Sequence, residues 1–327
     1  MKLLRLDKNE GPPPSPALLA QWSAMGAEEL QRYAVPDELE RDLARRFGLE
    51  PEQVLVTCGG DDGLERFAQC YLGPDRALAH TVPTFGVLLQ RAAEVGAQRR
   101  PVTWFDGPLP TTELLAALES AAALYVVGPN NPTGATPDRA AWEALLDGIG
   151  DKLLLADLAY VEFDEEDPSA RLVERGALVL RTFSKAYGLA GLRVGYLLGP
   201  AARLAPLRAR RAMYPVAAPS LAIARAALNQ AGGQRSAYVE AVRSERGELA
   251  ERLRACGLRV PDTRANFAYG LGAEAPHLAE RLRALGIWTR YFAPGEGAVE
   301  PGLRITAPGN PTDFERTCRA LEACRAL

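Results

Sequence analysis

Lysine is rare in this chain of 327 residues. It occurs only at positions 2, 8, 152 and 185, so arginine supplies 34 of the 38 basic side chains. Arginine stays protonated in proteins and cannot act as an amine nucleophile. A lysine inside the body of such a chain therefore needs a reason, and the surroundings of Lys185 suggest a chemical one.

Histidine and paired cysteines are also scarce, which argues against two kinds of site. The two histidines, His80 and His277, are far apart in the sequence, so a metal site is not expected. The five cysteines include no C-x-x-C pair, and their odd number argues against a full disulfide framework. We therefore predict neither a metal site nor a structural disulfide framework.

The charge and hydropathy patterns exclude further classes of partner. The chain has 38 basic and 41 acidic side chains, a net charge of −3, and shows no basic footprint for nucleic acid. No apolar run approaches the length of a membrane span, and the opening residues MKLLRLDKNEG contain no apolar core long enough for a signal peptide. We therefore expect a cytoplasmic protein that binds neither nucleic acid nor a membrane.

Strand-like and helix-like segments alternate through the middle of the chain. Between about residues 50 and 183, short apolar runs such as QVLVT and ALYVV are separated by segments with helical periodicity. Such alternation is typical of a mostly parallel sheet with helices on both faces. Ligands bind such sheets at the carboxyl ends of the strands. We therefore predict an α/β fold with its site at that edge.

The two ends of the chain show a different pattern of helix-like and strand-like segments from the middle. Residues 16–30 look helical, and after about residue 212 helices are mixed with short strands near 258–262, 266–271 and 302–308. A chain of this length suits one large domain and one smaller domain. The predicted units are a large domain of residues 26–211 and a small α+β domain of residues 1–25 and 212–327.

Lys185 lies in the run RTFSKAYGLAGLR, between two strand-like segments. A Schiff base with an aldehyde cofactor requires a lysine amine. The hydroxyls of Thr182 and Ser184, with Arg193 eight residues after the lysine, could hold a phosphate beside it. The simpler interpretation is a surface lysine on a glycine-rich turn.

Two motifs follow predicted strands earlier in the chain. In GGDDG, residues 59–63, the amides of a helix N-terminus could bind a phosphate. In PTFG, Phe85 could stack on a flat cofactor ring. A capped glycine turn and a core phenylalanine are the simpler interpretations of these two motifs.

Two further motifs follow later strands. In GPNNPTG, residues 128–134, the amide of Asn131 could donate to a phenolic oxygen, although the run could also be a plain turn. In ADLAY, Asp157 ends an apolar strand, so we expect it to be partly buried and to have a partner. A pyridinium nitrogen is a suitable partner, and a helix or turn cap is the alternative.

Together these motifs resemble those of the fold-type I pyridoxal-phosphate enzymes of the class I and II aminotransferase superfamily. Within it, the chain is most similar to the histidinol-phosphate aminotransferases. N-P-T-G, D-x-A-Y and S-K followed by arginine after seven residues carry the likeness, which runs from LDKNEG to GLRIT. The resemblance implies pyridoxal 5′-phosphate in the large domain, an amino donor, a keto-acid acceptor and a homodimer.

The resemblance also implies residue roles. Lys185 is implied as the Schiff-base lysine and Asp157 as the partner of the ring nitrogen. The remaining cofactor contacts are implied for Gly60, Asp61, Phe85, Asn131, Tyr160, Thr182, Ser184 and Arg193, with Tyr33 supplied by the neighbouring subunit. Arg304 is implied to bind the substrate carboxylate, and Arg290 the substrate phosphate.

The chain departs from the family pattern near its substrate positions. Gly11 replaces an asparagine and the aromatic residue that usually follows is missing, Leu158 stands within the D-x-A-Y motif, and Phe85 lacks a hydroxyl. The substrate therefore stays open. A decarboxylase similar to threonine-phosphate decarboxylase, an aromatic amino acid aminotransferase, and a cofactor-binding regulator without turnover are the alternatives.

Overall fold

The structure is a computed structural model that describes residues 3–230, 233–295 and 300–325. The strands of these residues are β1 (Leu4–Leu6), β2 (Val54–Thr57), β3 (Leu78–Val82), β4 (Arg99–Thr103), β5 (Ala123–Val127), β6 (Leu153–Asp157), β7 (Leu178–Thr182), β8 (Gly195–Leu198), β9 (Phe267–Leu271), β10 (Ile287–Phe292) and β11 (Gly302–Thr306).

The α-helices of the same residues connect and cover these strands. They are α1 (Pro16–Ser23), α2 (Ala27–Gln31), α3 (Asp37–Phe47), α4 (Gly59–Tyr71), α5 (Val87–Glu94), α6 (Thr111–Glu119), α7 (Arg139–Gly148), α8 (Ser169–Glu174), α9 (Ala201–Ala209), α10 (Ala218–Asn229), α11 (Gly233–Ala255), α12 (Ala275–Ala284) and α13 (Pro311–Arg325). None of these helices is long and apolar enough to cross a membrane.

Seven strands form the larger sheet, in the order β2-β8-β7-β6-β5-β3-β4. The strands from β4 to β7 run parallel, whereas β8 is antiparallel to both of its neighbours. Parallel neighbours require crossover connections, which the helices supply. The predicted mostly parallel sheet with helices on both faces is confirmed. The loops that follow β2, β3, β5, β6 and β7 therefore meet at one edge.

Both faces of this sheet are buried, which explains the nearly continuous apolar strands. Along β5, Tyr125 and Val127 pack on one face against a core that includes residues of α4, α5 and α9. Leu124 and Val126 pack on the other face, with residues of α3, α6, α7 and α10. Successive side chains of a strand point to opposite faces of the sheet, so β5 contributes residues to both cores.

The four remaining strands form a second sheet, in the order β1-β10-β11-β9. β1 is parallel to β10, and the other pairs are antiparallel. Leu303 and Ile305 of β11 pack in a core with residues of α11, α12 and α13. Tyr160, from the loop after β6, enters the same core and links it to the larger sheet. The exact division into two domains stays a prediction.

Several local predictions were wrong. The helix expected over residues 16–30 is two helices, α1 and α2, separated near Gly26, because glycine costs about 1 kcal/mol in a helix interior. Residues 258–262 form no regular strand, only an isolated bridge between Arg259 and Leu271. Strand β10 and helices α8 and α9 were not predicted, and pairing with β1 and β11 stabilises the partly exposed β10.

Candidate active site

A cavity of about 780 Å³ lies where the loops at the carboxyl edge of the larger sheet meet the second sheet. Of the residues predicted for the site, all but Tyr33 line it. These are Gly60, Asp61, Phe85, Asn131, Asp157, Tyr160, Thr182, Ser184, Lys185, Arg193, Arg290 and Arg304. The fold therefore brings together residues from seven separate segments of the sequence.

Lys185 lies half-buried on the loop after β7, with its amine in the cavity. Its Nζ donates to the backbone carbonyl of Lys8 at 3.1 Å and lies 5.6 Å from the ring centroid of Tyr160. By contrast, the Nζ of Lys152 donates to the carbonyls of Leu118 and Glu119 at the end of α6. Lys152 therefore has a structural role at a helix C-terminus, where a cation is favourable.

The N-terminal segment crosses directly over the Lys185 loop, and this explains Gly11. A Cβ at position 11 would lie 2.0 Å from the carbonyl oxygen of Lys185. Gly188 has φ +67°, and its Cβ would lie 2.0 Å from the carbonyl oxygen of Pro12. Two backbones thus meet at two glycines, so the asparagine expected from the family pattern cannot be accommodated at position 11 in this arrangement.

Asp157 ends β6 at the base of the cavity and is only 2% exposed. Its Oδ2 accepts from the hydroxyl of Tyr125 at 2.9 Å, and its Oδ1 accepts from the amide of Ala159 at 3.1 Å. Burial raises the pKa of Asp157 to about 6, although both hydrogen bonds oppose that rise. No salt bridge joins Asp157 to a basic side chain within the described residues.

Asn131 and Tyr160 form a hydrogen-bonded group in the same cavity as Asp157. The Asn131 amide donates to the Tyr160 hydroxyl at 3.4 Å, and the Asn9 amide donates to the same hydroxyl at 3.0 Å. Arg304 donates from Nη1 to the Asn131 Oδ1, which fixes the orientation of that amide. The peptide bond between Asn131 and Pro132 is cis.

Arg304 is held on β11 and is 6% exposed. Its Nη2 donates to the carbonyl of Asp7 at 2.8 Å, and its guanidinium lies over the rings of Phe267 and Phe292. Its Nε has no hydrogen-bond partner within the described residues. Burial lowers the pKa of Arg304 to about 10. The lowered pKa reflects the free-energy cost of burying the charged guanidinium. An anion that enters the cavity and pairs with the guanidinium would offset this cost.

The candidate phosphate-binding end lies at the N-terminus of α4. This helix begins at Gly59, so Gly60 and Asp61 lie in its first turn. Arg193 donates to Asp61 at 3.0 Å, and both side chains are about half exposed. The close approach of Arg193 requires Gly59, because a Cβ there would lie 2.6 Å from Nη2.

Two hydroxyls complete this end of the cavity. Thr182 Oγ1 lies 3.0 Å from Ser184 Oγ and accepts from the Ser184 amide at 3.1 Å. A helix N-terminus, two hydroxyls and an arginine are groups that bind phosphate. The arrangement is therefore suited to a phosphate group.

Tyr33 and Arg290 lie apart from the buried group. Tyr33 is 81% exposed and stacks on Tyr214 at 4.1 Å, outside the cavity of its own chain. Arg290 is exposed at the cavity wall, over the ring of Phe292, and lies opposite Arg304 in the pairing of β10 with β11. No carboxylate pairs with Arg290 within the described residues.

Sequence analysis missed three buried polar residues beside the cavity. Asn9 and Tyr125 contact Tyr160 and Asp157, and Asn130 accepts from Thr84 at 3.0 Å to join the loops after β3 and β5. A tyrosine inside an apolar strand and two adjacent asparagines were visible signals. Their partners could not be read, because each partner is distant in the sequence.

The donor set fits pyridoxal phosphate. Asp157 is a buried carboxylate that forms no salt bridge within the described part of the chain, which leaves it available to a protonated ring nitrogen. The amine of Lys185 lines the same cavity, with the phosphate-suited groups around Thr182 and Ser184. Phe85 also lines it and offers an aromatic face. The residues present are thus those that the cofactor needs.

Comparison with known proteins agrees with this site. The family model for aminotransferases of class I and II matches residues 5–321. The histidinol-phosphate aminotransferase of Dinoroseobacter shibae is 32% identical and aligns with 99% of this chain and 89% of its own length. An aromatic amino acid aminotransferase of Rhodococcus jostii is also 32% identical, over 95% of this chain and 87% of its own length.

Solved structures show the same architecture. The histidinol-phosphate aminotransferase of Sinorhizobium meliloti, in complex with pyridoxal 5′-phosphate, superposes with a TM-score of 0.88 at 25% identity and covers 99% of this chain and 91% of that one. These similarities support an aminotransferase, and they do not favour the decarboxylase or the regulator without turnover. The chain belongs to the class I and II aminotransferases, and its cofactor is pyridoxal 5′-phosphate.

Proposed function

We propose that this aminotransferase moves an amino group between histidinol phosphate and 2-oxoglutarate, with glutamate as the other product or donor. The observation that carries the proposal is the pair of arginines at the substrate side of the cavity. Arg290 and Arg304 lie opposite each other on neighbouring strands, and both line the cavity that contains Lys185. Histidinol phosphate and glutamate each bring an anionic group to such a pair.

Arg304 is the proposed anchor for the α-carboxylate of glutamate. Its planar guanidinium can bind both carboxylate oxygens. Its Nε has no hydrogen-bond partner among the residues that the structure describes, and its hydrogen bond to Asn131 brings it to an amide of the cofactor site. Both observations support this role. Histidinol phosphate lacks an α-carboxylate, so it needs another anchor.

Arg290 is the proposed anchor for the substrate phosphate. It is exposed at the cavity wall, pairs with no carboxylate within the described residues and is held over Phe292 at 5.4 Å. A dianionic phosphate would gain a charge-assisted hydrogen bond there. The aromatic residue that usually follows in the N-terminal motif of the family is missing here, so we expect Arg290 to carry much of the selectivity for phosphate.

The proposed chemistry assigns separate tasks to the side chains. Bound pyridoxal phosphate supplies an electron sink that stabilises negative charge at the substrate α-carbon. Lys185 Nζ would hold the aldehyde carbon until the amino group of the incoming substrate displaces it, and the released lysine amine would then take up the α-proton. Asp157 holds a protonated nitrogen by charge, Asn131 and Tyr160 orient the ring oxygen, and Phe85 covers the ring face. Gly60, Asp61, Thr182, Ser184 and Arg193 hold the phosphate.

A homodimer with shared active sites belongs to the same proposal. Tyr33 is exposed and stacked on Tyr214, while Leu30 and Met213, their neighbours in sequence, are 72% and 76% exposed. Large apolar side chains exposed together are typical of protein interfaces. Such an interface would allow Tyr33 to reach the phosphate in the partner's cavity.

We also propose a cytoplasmic location, since all five cysteines are free, as in a reducing compartment.

The test is a comparison of kcat/KM for histidinol phosphate, phenylalanine and glutamate in the parent and in Arg290→Ala. We expect kcat/KM for histidinol phosphate to fall by an amount equivalent to about 1.5 to 3 kcal/mol of transition-state stabilisation, the range for a hydrogen bond to a charged group. The other two substrates should change little. Arg283→Ala is a matched control, because Arg283 also lies over an aromatic ring, that of Trp288, but outside the cavity.

An equal loss for all three substrates would show that Arg290 does not recognise phosphate. A parent enzyme that prefers phenylalanine to histidinol phosphate would instead favour an aromatic amino acid aminotransferase. Release of carbon dioxide from an amino acid without formation of a keto acid would contradict the transfer reaction itself.

A further inference from the structure

Tyr125 is a buried polar residue outside the assigned site. It lies in the middle of β5 and has no exposed surface. Its hydroxyl lies 2.9 Å from Asp157 Oδ2. An ionised carboxylate only accepts hydrogen bonds, so the tyrosine is the donor. Within the described residues, the Tyr125 side chain makes no other hydrogen bond.

The strand register places these two side chains together. β5 and β6 are parallel neighbours in which Tyr125 lies opposite Leu155 and Val127 lies opposite Asp157. Side chains two positions apart on a strand point to the same face, so the long tyrosine ring reaches along β5 to the carboxylate. A shorter hydroxyl-bearing side chain at position 125 would not span this distance.

Tyr125 is separated from the reacting region. It does not line the cavity, and its ring packs in the core with Leu155, Leu178 and Leu180. Any effect of its hydroxyl on the reaction must therefore pass through Asp157. Within the described residues, the other donor to Asp157 is the backbone amide of Ala159, which remains in every substitution at that position except proline.

We propose that Tyr125 is a positioning residue whose hydroxyl orients the Asp157 carboxylate and favours its ionised form. The inference deepens the proposed function, because it rests on the role of Asp157 as the partner of the ring nitrogen. Burial disfavours the charged carboxylate, and a hydrogen bond to the charged form offsets that cost. Without the hydroxyl, the side chain would be protonated over a wider range of pH.

The neighbouring charges do not account for this effect. Asp61 on α4 disfavours the ionised form of Asp157, and Lys185 on the loop after β7 favours it. Tyr160 also lies close to Tyr125. All three side chains remain when only the Tyr125 hydroxyl is removed. A comparison of two variants therefore isolates the contribution of one hydrogen bond.

The experiment measures the binding of pyridoxal phosphate to the cofactor-free protein by equilibrium dialysis at several pH values. The affinity of the parent should fall as Asp157 becomes protonated. In Tyr125→Phe, which removes only the hydroxyl, this fall should occur about one to two pH units higher, since loss of a hydrogen bond to the charged form raises the pKa of a carboxyl by about that amount. At high pH, where Asp157 is ionised in both proteins, their affinities should converge.

Tyr71→Phe is the matched control. Tyr71 packs against the same core, and its hydroxyl donates to the carbonyl of Arg203 at 2.5 Å, away from Asp157. Its removal should leave the pH dependence of binding unchanged. Ionisation of the cofactor itself affects all the proteins equally. In an Asp157→Asn background, Tyr125→Phe should also leave the pH dependence unchanged.

A loss of affinity that is equal at every pH would show a purely structural role and overturn the inference. An unchanged profile would overturn it as well. If Tyr125→Phe does not fold, Tyr125→Met fills similar space with a flexible side chain and no hydroxyl, and the same shift is expected. Failure of the parent to bind pyridoxal phosphate at any pH would instead contradict the proposed function.

Discussion

Arg304 donates a hydrogen bond directly to the side chain of Asn131. The first residue lies on β11 of the second sheet, and the second lies on the loop after β5 of the larger sheet. The candidate group for the substrate carboxylate and the candidate group for the cofactor ring are therefore in contact. A substrate that rearranges the guanidinium must also affect the amide, which links the two halves of the cavity.

This contact predicts the behaviour of Arg304→Lys. The kcat/KM for glutamate should fall about thirtyfold, which corresponds to about 2 kcal/mol of transition-state stabilisation. The reason is that lysine lacks the planar guanidinium and loses one hydrogen bond to a charged group. The measurement is the half-reaction with glutamate, followed by single-turnover kinetics. Arg254→Lys, at an exposed arginine on α11, is the control. Unchanged kinetics in Arg304→Lys would exclude a two-point contact with the carboxylate.

Lys185 is predicted to be the residue that carries the cofactor. Borohydride should fix pyridoxal phosphate irreversibly to this lysine, since its amine lines the cavity while that of Lys152 is bound to two carbonyls. Peptide mapping of the reduced protein identifies the labelled residue. Lys152→Arg should be labelled as the parent is, and Lys185→Arg should not. A label on Lys152 would refute the assignment.

Asp157 predicts how stability depends on pH in the cofactor-free protein. Its pKa is raised from 3.8 to about 6, so the folded state binds the proton more tightly than the unfolded state. Its contribution to stability is therefore fully present below about pH 4 and is lost as pH rises through about 6. Two pH units correspond to about 3 kcal/mol.

Asp157→Asn should remove this dependence. The free energy of unfolding, measured in denaturant from pH 4 to pH 8, should fall less steeply in the variant than in the parent when both lack cofactor. In the holoenzyme the parent should instead be the more stable of the two proteins, since the variant cannot form an ion pair with a protonated ring nitrogen. Turnover should be lost in the variant. Parallel pH profiles for the two cofactor-free proteins would show that Asp157 titrates normally.

Gly11 is predicted to tolerate no side chain. Gly11→Ala should lower the free energy of unfolding by about 1 to 3 kcal/mol, because the new Cβ meets the backbone carbonyl of Lys185. Gly247→Ala, in the middle of α11 with open space around it, is the control and should be stabilising by about 0.5 to 1 kcal/mol. Equal stability of Gly11→Ala and the parent would show that the N-terminal segment shifts freely.

The proposed dimer predicts complementation between subunits. Tyr33→Ala and Lys185→Ala should each reduce activity as homodimers, while a mixture of the two should regain part of it. A mixed dimer has one cavity with an intact Lys185 and an intact Tyr33 from the partner. Sedimentation should show the dimer in every sample. A fully active monomer, or mixing without any gain, would contradict a shared site.

Much of the site was accessible from the sequence, because its chemistry depends on residue type. Lys185 could be recognised because lysine is scarce, and Asp157 because an acidic residue ended an apolar strand. The alternation of strand-like and helix-like segments in the middle of the chain likewise predicted the parallel sheet and its edge. Strand β10 was missed, because its partly exposed residues lack a clear pattern and pairing with β1 and β11 stabilises it.

The sequence by itself determined which reactive groups the chain possesses and that strand ends would carry them, since both follow from local residue order. The tertiary structure alone decided their partners. The amine of Lys185 meets a carbonyl 177 positions away, and Arg304 meets an amide 173 positions away. Tyr125 meets Asp157 only because β5 and β6 pair in this register. Such contacts depend on packing between distant segments, which no local pattern encodes.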